Sequence, residues 1–199
     1  MNNPRFMSPE LISKIKARYR TPVYVYSEKE LRDRAREFMS FPSAFGHSVR
    51  YAMKANPQSN ILKIFNQEWL LIDASSDFEA MRAMSAGVQT ENIQISSQEL
   101  WLNAQDLIEK WVFFVATSLH QLEFFGKNFP WKSCGIRMNP WVASWAFTKI
   151  STWGPTSSFG IWHEQLDEVI ALAENYNIDI TKLHFHIGSE NTPESWVDS

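Results

Sequence analysis

The sequence predicts an α/β chain of (β/α)8-barrel type that stops after about six βα units, and three observations carry that prediction. Short apolar strands centre near Tyr51, Ile72, Gln94, Phe114 and Ile136, at separations of 21, 22, 20 and 22 residues. Segments with helix-start signals lie between them. Polar residues end each strand, where barrels of this kind gather their working groups. Strand-helix units of this length imply parallel strands with helices outside, and a doubly wound open sheet is the structural alternative.

Residues 1–40 read as a lead-in with one strand and one helix. Leu11, Ile12, Ile15 and Tyr19 share a helical face, Thr21-Pro22 breaks it, and Val23-Tyr24-Val25-Tyr26 has strand character. Ser27 with Glu30 forms a capping box that opens a charged helix to about Met39.

The incomplete barrel occupies residues 41–199. Ser76 with Glu79, and Ser118 with Gln121, repeat the capping box, and Gly87 closes the helix 78–86. The sixth strand, Leu183–Ile187, lies beyond a long loop (139–160) and a helix (163–175). Thr192-Pro193-Glu194 starts another helix, so the expectation is a truncated chain lacking about two units of a barrel that usually takes about 250 residues.

Composition excludes several classes. The chain has 199 residues, and a hydrophobic fraction of 44% is too high for disorder. A net charge of −3 without a basic run argues against nucleic acid. The longest apolar stretch, 112–116, is too short to span a membrane. The first residues lack signal-peptide blocks and Cys134 stands alone, so the expected compartment is the reducing cytoplasm.

The strand ends place Lys54, Asp73, Ser96, Ser97, Thr117, Arg137, Asn139 and His186 on one rim. A lysine leaving a buried strand is expected to be desolvated, which lowers its pKa and suits covalent chemistry on a carbonyl. The plainer alternative is a solvated lysine at a strand end. His184 and His186 are two apart and face the same way on a strand. That spacing suits two metal ligands of a barrel hydrolase, or one histidine facing a ligand and one packed below it. Gly188-Ser189 offers backbone N–H groups and a hydroxyl to a phosphate.

Taken together, five motifs resemble one family. They are Tyr51-Ala52-Met53-Lys54-Ala55-Asn56, Ile72-Asp73-Ala74-Ser75, Gly135-Ile136-Arg137-Met138-Asn139-Pro140, Ser158-Phe159-Gly160-Ile161, and His184-Phe185-His186-Ile187-Gly188-Ser189. In this order they resemble the alanine-racemase-like (fold type III) pyridoxal-phosphate decarboxylases, the diaminopimelate decarboxylases most closely. The resemblance implies that Lys54 carries the cofactor, His186 stacks on its ring, Gly188 and Ser189 hold its phosphate, and Asp73 and Arg137 line the ring. It implies an amino-acid substrate: meso-diaminopimelate giving L-lysine, or ornithine, arginine or carboxynorspermidine in sister enzymes. Ser158 stands where relatives often have lysine. The resemblance also implies a homodimer at full length, and a further glycine-rich phosphate loop and C-terminal β domain, none of which is in these residues. This piece alone is therefore expected to be inactive, or to be a cofactor-binding fragment without catalysis.

Glycine and tryptophan counts are anomalous. There are 7 glycines and 9 tryptophans, whereas ordinary usage gives about 14 glycines at this length. Trp69 and Trp111 follow predicted helix ends, and Trp131 follows Pro130, all positions that favour glycine. Trp141, Trp145 and Trp153 fall in the long loop, Trp101 and Trp196 are less placed, and Trp162 reads as a true tryptophan. Turning the first eight into glycine restores an ordinary count. The expectation is a gene in which UGA encodes glycine, translated here as tryptophan. The alternative is an aromatic-rich interface.

Overall fold

In the computed structural model the described residues are 6–139 and 159–186. Helices α1 (Pro9–Arg18) and α2 (Glu28–Met39) precede β1 (Arg50–Ala52), α3 (Ser59–Gln67), β2 (Leu71–Ala74), α4 (Asp77–Ser85) and β3 (Ile93–Ser96). Then follow α5 (Ala104–Glu109), β4 (Phe113–Ala116), α6 (Leu119–Asn128), β5 (Ser133–Asn139), β6 (Ile161–Trp162), α7 (Leu166–Tyr176) and β7 (Asp179–His184).

All strand pairs are parallel, in the order β1-β2-β3-β4-β5 with β7 beside β5. The helical crossovers impose this, because a parallel partner requires a connection that returns over the sheet. The expected βα-barrel type is found, with six strands near the predicted centres. The short β6 pairs with the end of β5 (Met138↔Ile161) and was not expected. The last strand runs Asp179–His184, earlier than the predicted 183–187.

Alternation along the strands separates two environments. Ile72, Ala74, Ile93, Ile95, Phe114, Ala116, Cys134 and Ile136 are buried in one core with residues from α3 to α7. Trp101, Phe114, Phe125 and Phe129 form a chain of rings with centroids 5.3–5.5 Å apart. The intervening positions, among them Asp73, Gln94, Ser96, Arg137, Lys182 and His184, belong to the opposite face, the barrel lumen. Gly135 belongs there too: a Cβ on it would lie 3.1 Å from Val115 and 3.4 Å from Lys182.

The lead-in only partly follows expectation. Ser8 caps α1, yet α1 buries no residue. Residues 23–26 are extended but form no paired strand, because no neighbouring strand among the described residues meets their edge. Helix α2 packs on α3 through Ala35, Ile61, Phe65 and Leu70, and Arg32 and Arg36 both bind Glu68 at 2.8 Å.

The capping boxes form with one change. Ser27, Ser76 and Ser118 each accept from the N–H three residues on. The return arm reaches one residue further back than the motif predicts: Glu79 accepts from the Ser75 N–H at 2.7 Å and Gln121 from the Thr117 N–H at 2.9 Å. Gln121 also donates to the carbonyls of Ser97 and Gln98, tying the rim loop after β3 to α6.

Candidate active site at the C-terminal rim

Lys54 lies on a single 3-10 turn, Met53–Ala55, directly after β1. Met53 is fully buried and anchors the turn. The Tyr51 hydroxyl donates to the Asn56 carbonyl at 3.2 Å, and the Asn56 side chain accepts from the Gln58 N–H at 3.2 Å. Lys54 itself is exposed. Of the two readings, the solvated lysine at a strand end is the one found and the desolvated one is not, because the strand ends at Ala52 and the turn lifts Lys54 onto the rim. Its amine is open to a ligand.

Asp73 is a half-buried acid of the lumen. Burial raises its pKa, while a hydrogen bond from Gln94 and the charges of Arg50 and Lys54 pull the other way. The Gln94 amide donates to Asp73 Oδ1 at 3.1 Å, and its oxygen accepts from Lys182 Nζ at 3.2 Å. An ammonium on one side and a carboxylate on the other leave the amide a single orientation. Lys182 also sits 4.1 Å over the Phe113 ring.

Arg137 on β5 faces the same lumen. Burial lowers its pKa and the charge of Asp73 partly restores it. Its guanidinium lies 5.0 Å over the Phe159 ring. Gly160 makes this approach possible: its φ is +84°, and a Cβ there would stand 3.1 Å from the Arg137 carbonyl.

On the last strand Lys182, His184 and His186 are partly buried, while Thr181, Leu183 and Phe185 between them are exposed. The two histidines thus share the inner face, as their spacing predicts. His184 Nδ1 lies 3.4 Å from the Ser96 hydroxyl. Burial, helped by Arg137, His186 and Lys182, pushes His184 down to about 4. Burial, Arg137 and Lys54 likewise lower the pKa of His186. Burial thus disfavours the charged form of both rings. No group of three or more His, Cys, Asp or Glu side chains among the described residues is arranged to hold a metal ion. Gly188 and Ser189 lie outside the described residues, as do Trp141, Trp145, Trp153 and Trp196.

Lys54, Asp73, Arg137 and His186 therefore meet electrostatically at one end of the barrel. Three participants were not singled out from the sequence: Gln94, Lys182 and Arg50. Their signal was a polar residue recurring at every second strand position, where a fully buried strand would be apolar throughout.

Residues 30–198 match the profile of a family described as pyridoxal-dependent decarboxylase, pyridoxal binding domain. The chain belongs to this family. Pyridoxal-dependent decarboxylases close to it in sequence include the diaminopimelate decarboxylase of Streptomyces coelicolor, 33% identical over 181 residues, covering 87% of this chain and 39% of that protein. The diaminopimelate decarboxylase of Zymomonas mobilis is 31% identical over 191 residues, covering 91% of this chain and 45% of its own length. The chain thus spans less than half of these relatives. Among solved structures, the diaminopimelate decarboxylase from Helicobacter pylori complexed with L-lysine superposes with a TM-score of 0.78 at 23% identity, over 90% of this chain and 47% of that one. This last likeness establishes the fold.

The residues present fit the family's cofactor. Pyridoxal phosphate is an anionic aldehyde with a flat heteroaromatic ring. The rim offers an exposed amine at Lys54, three cations, Arg50, Arg137 and Lys182, beside the acids Asp73 and Glu79, and a flat imidazole at His186 whose charged form burial disfavours.

Proposed function

We propose that this chain is the cofactor-binding part of an amino-acid decarboxylase whose substrate is meso-diaminopimelate, released as L-lysine. The convergence of Lys54, Asp73, Arg137 and His186 on one rim carries the reading. The similarity to two diaminopimelate decarboxylases favours this substrate over ornithine, arginine or carboxynorspermidine.

When bound, pyridoxal phosphate supplies an electron sink for the carbanion left as carbon dioxide departs. Lys54 would hold its aldehyde, because its amine stands free on a turn fixed at both ends. His186 would cover one ring face; burial disfavours its charged form, so it would stack without adding charge beside Arg137 and Lys54. Asp73, oriented by Gln94, supplies a fixed negative charge near Lys54. Arg137, propped on Phe159, supplies a fixed positive one. Gly188 and Ser189 are the residues proposed for the phosphate. The whole protein is proposed to act as a homodimer in the cytoplasm.

The test is release of carbon dioxide from meso-diaminopimelate by the longer protein that contains this chain, against lysine, ornithine and arginine as competitors. Turnover on meso-diaminopimelate that falls at least a thousandfold in Lys54→Ala is expected. Preference for another of these amino acids would overturn the substrate, and activity retained in Lys54→Ala would overturn the site. Residues 1–199 alone are proposed to bind cofactor without turnover.

A further inference from the structure

Four described non-glycine residues have a positive φ, and three of them are tryptophans: Trp69 (67°), Trp111 (72°) and Trp131 (70°). The left-handed region is open to glycine and tolerated by asparagine, but a β-carbon crowds the following carbonyl. The fourth residue, Asn177 at 53°, is of a tolerated type.

The turns themselves favour a glycine. After α3 the Leu70 N–H donates to the Phe65 carbonyl at 3.0 Å and the Trp69 N–H to Asn66 at 3.1 Å. After α5 the Val112 N–H donates to Leu107 at 3.0 Å and the Trp111 N–H to Ile108 at 3.1 Å. These are paired Schellman bonds, with the left-handed residue one past the cap. After α4 the same pair recurs, Val88 to Ala83 at 3.1 Å and Gly87 to Met84 at 2.9 Å, and there the left-handed residue is glycine. Trp131 occupies another kind of turn. The Lys132 N–H donates to the Phe129 carbonyl at 3.2 Å around Pro130 and Trp131. Proline first and a positive φ second make a type II turn, whose second central position selects glycine.

Nothing in the packing selects tryptophan. Trp69, Trp111 and Trp131 are 81%, 68% and 77% exposed. Only Trp111 has a partner, Lys132, whose ammonium lies 5.2 Å from its ring. Trp101, counted among the eight expected glycines, departs from that expectation: it has no positive φ and is buried against Phe114, while Trp162, which likewise has no positive φ, pairs with Asn139 of β5.

We propose that the native residue at positions 69, 111 and 131 is glycine, encoded by UGA in an organism that reads this codon as glycine. The three turns lead into β2, β4 and β5, so they set the entry of the strands that carry Asp73 and Arg137. Three added glycines take the count from 7 to 10 and so account for part of its shortfall.

The test is peptide mass spectrometry of the protein purified from the cells that carry the gene, together with the gene's codons. Glycine in the peptides spanning 69, 111 and 131, with tryptophan at 162, and UGA at the first three codons with UGG at the last, is expected. Tryptophan in the peptides at 69, 111 or 131 overturns the proposal whatever the codon. UGG at those codons overturns it as well. The outcome does not depend on the enzymatic activity, so it stands or falls separately from the proposed function.

Discussion

Replacing the three left-handed tryptophans by glycine should make this chain more stable, an unusual result for removing three large aromatic side chains. A non-glycine residue in the left-handed region costs about 1–2 kcal/mol. Glycine loses more backbone freedom on folding, which returns about 0.5–1 kcal/mol of that gain. Little burial is lost, since all three indoles are mostly in solvent. The net is about 0.5–1 kcal/mol per site, and the sites lie on separate turns, so the Trp69→Gly/Trp111→Gly/Trp131→Gly variant gains about 2 kcal/mol. At this chain length that raises Tm by about 4–8 °C. Urea unfolding and thermal melts followed by far-ultraviolet circular dichroism measure both quantities. Trp101→Gly is the control: it empties a buried site against Phe114 and should cost about 3–5 kcal/mol. A triple variant no more stable than the parent, or a Trp101→Gly variant that gains as much, would refute the backbone argument.

Other perturbations have equally definite outcomes. Gly126→Ala should destabilise by about 1–3 kcal/mol, since a Cβ there would meet the Tyr176 ring base at 2.6 Å where α6 and α7 touch; urea midpoints report it. Gln94→Leu leaves half-buried Asp73 without its amide donor and should cost about 1 kcal/mol, with the Asp73 pKa rising further by side-chain NMR. Lowering the pH should destabilise the fold between about 6.5 and 4: His184 has a depressed folded pKa, so the unfolded chain takes up the proton first. The loss is on the order of 2 kcal/mol, and H184Q should flatten the curve in that window. Cys134, buried and pushed up to about 12, should resist thiol reagents in the native state and react on unfolding.

How much of this was legible in the sequence differs by element. The strands β1 to β5 were readable because short segments rich in apolar residues recur every 20–22 residues, with the capping serines Ser76 and Ser118 marking the helix starts after β2 and β4, and parallel pairing followed from the spacing. The strand expected at 23–26 was not found, because alternation marks a chain fit for a sheet without showing that a neighbour exists. The end of β7 was misplaced because Phe185 and Ile187 extend the apolar pattern past the last ladder bond at Arg137↔His184. Lys54, Asp73, Arg137 and His186 were legible as polar strand ends. The choice between a desolvated and a solvated Lys54 was not, since the length of β1 and its terminal turn decide it. Gln94 and Lys182 are 88 residues apart in sequence, and only the closing of β7 onto β5 shows that they share Asp73.

The most direct test of the central claim, that this rim holds pyridoxal phosphate through Lys54, is borohydride reduction of the chain incubated with the cofactor, followed by peptide mapping. One stable adduct per chain is expected, on Lys54, lost in Lys54→Arg and weakened in Asp73→Asn. Adducts spread over surface lysines, or unchanged labelling in Lys54→Arg, would contradict it.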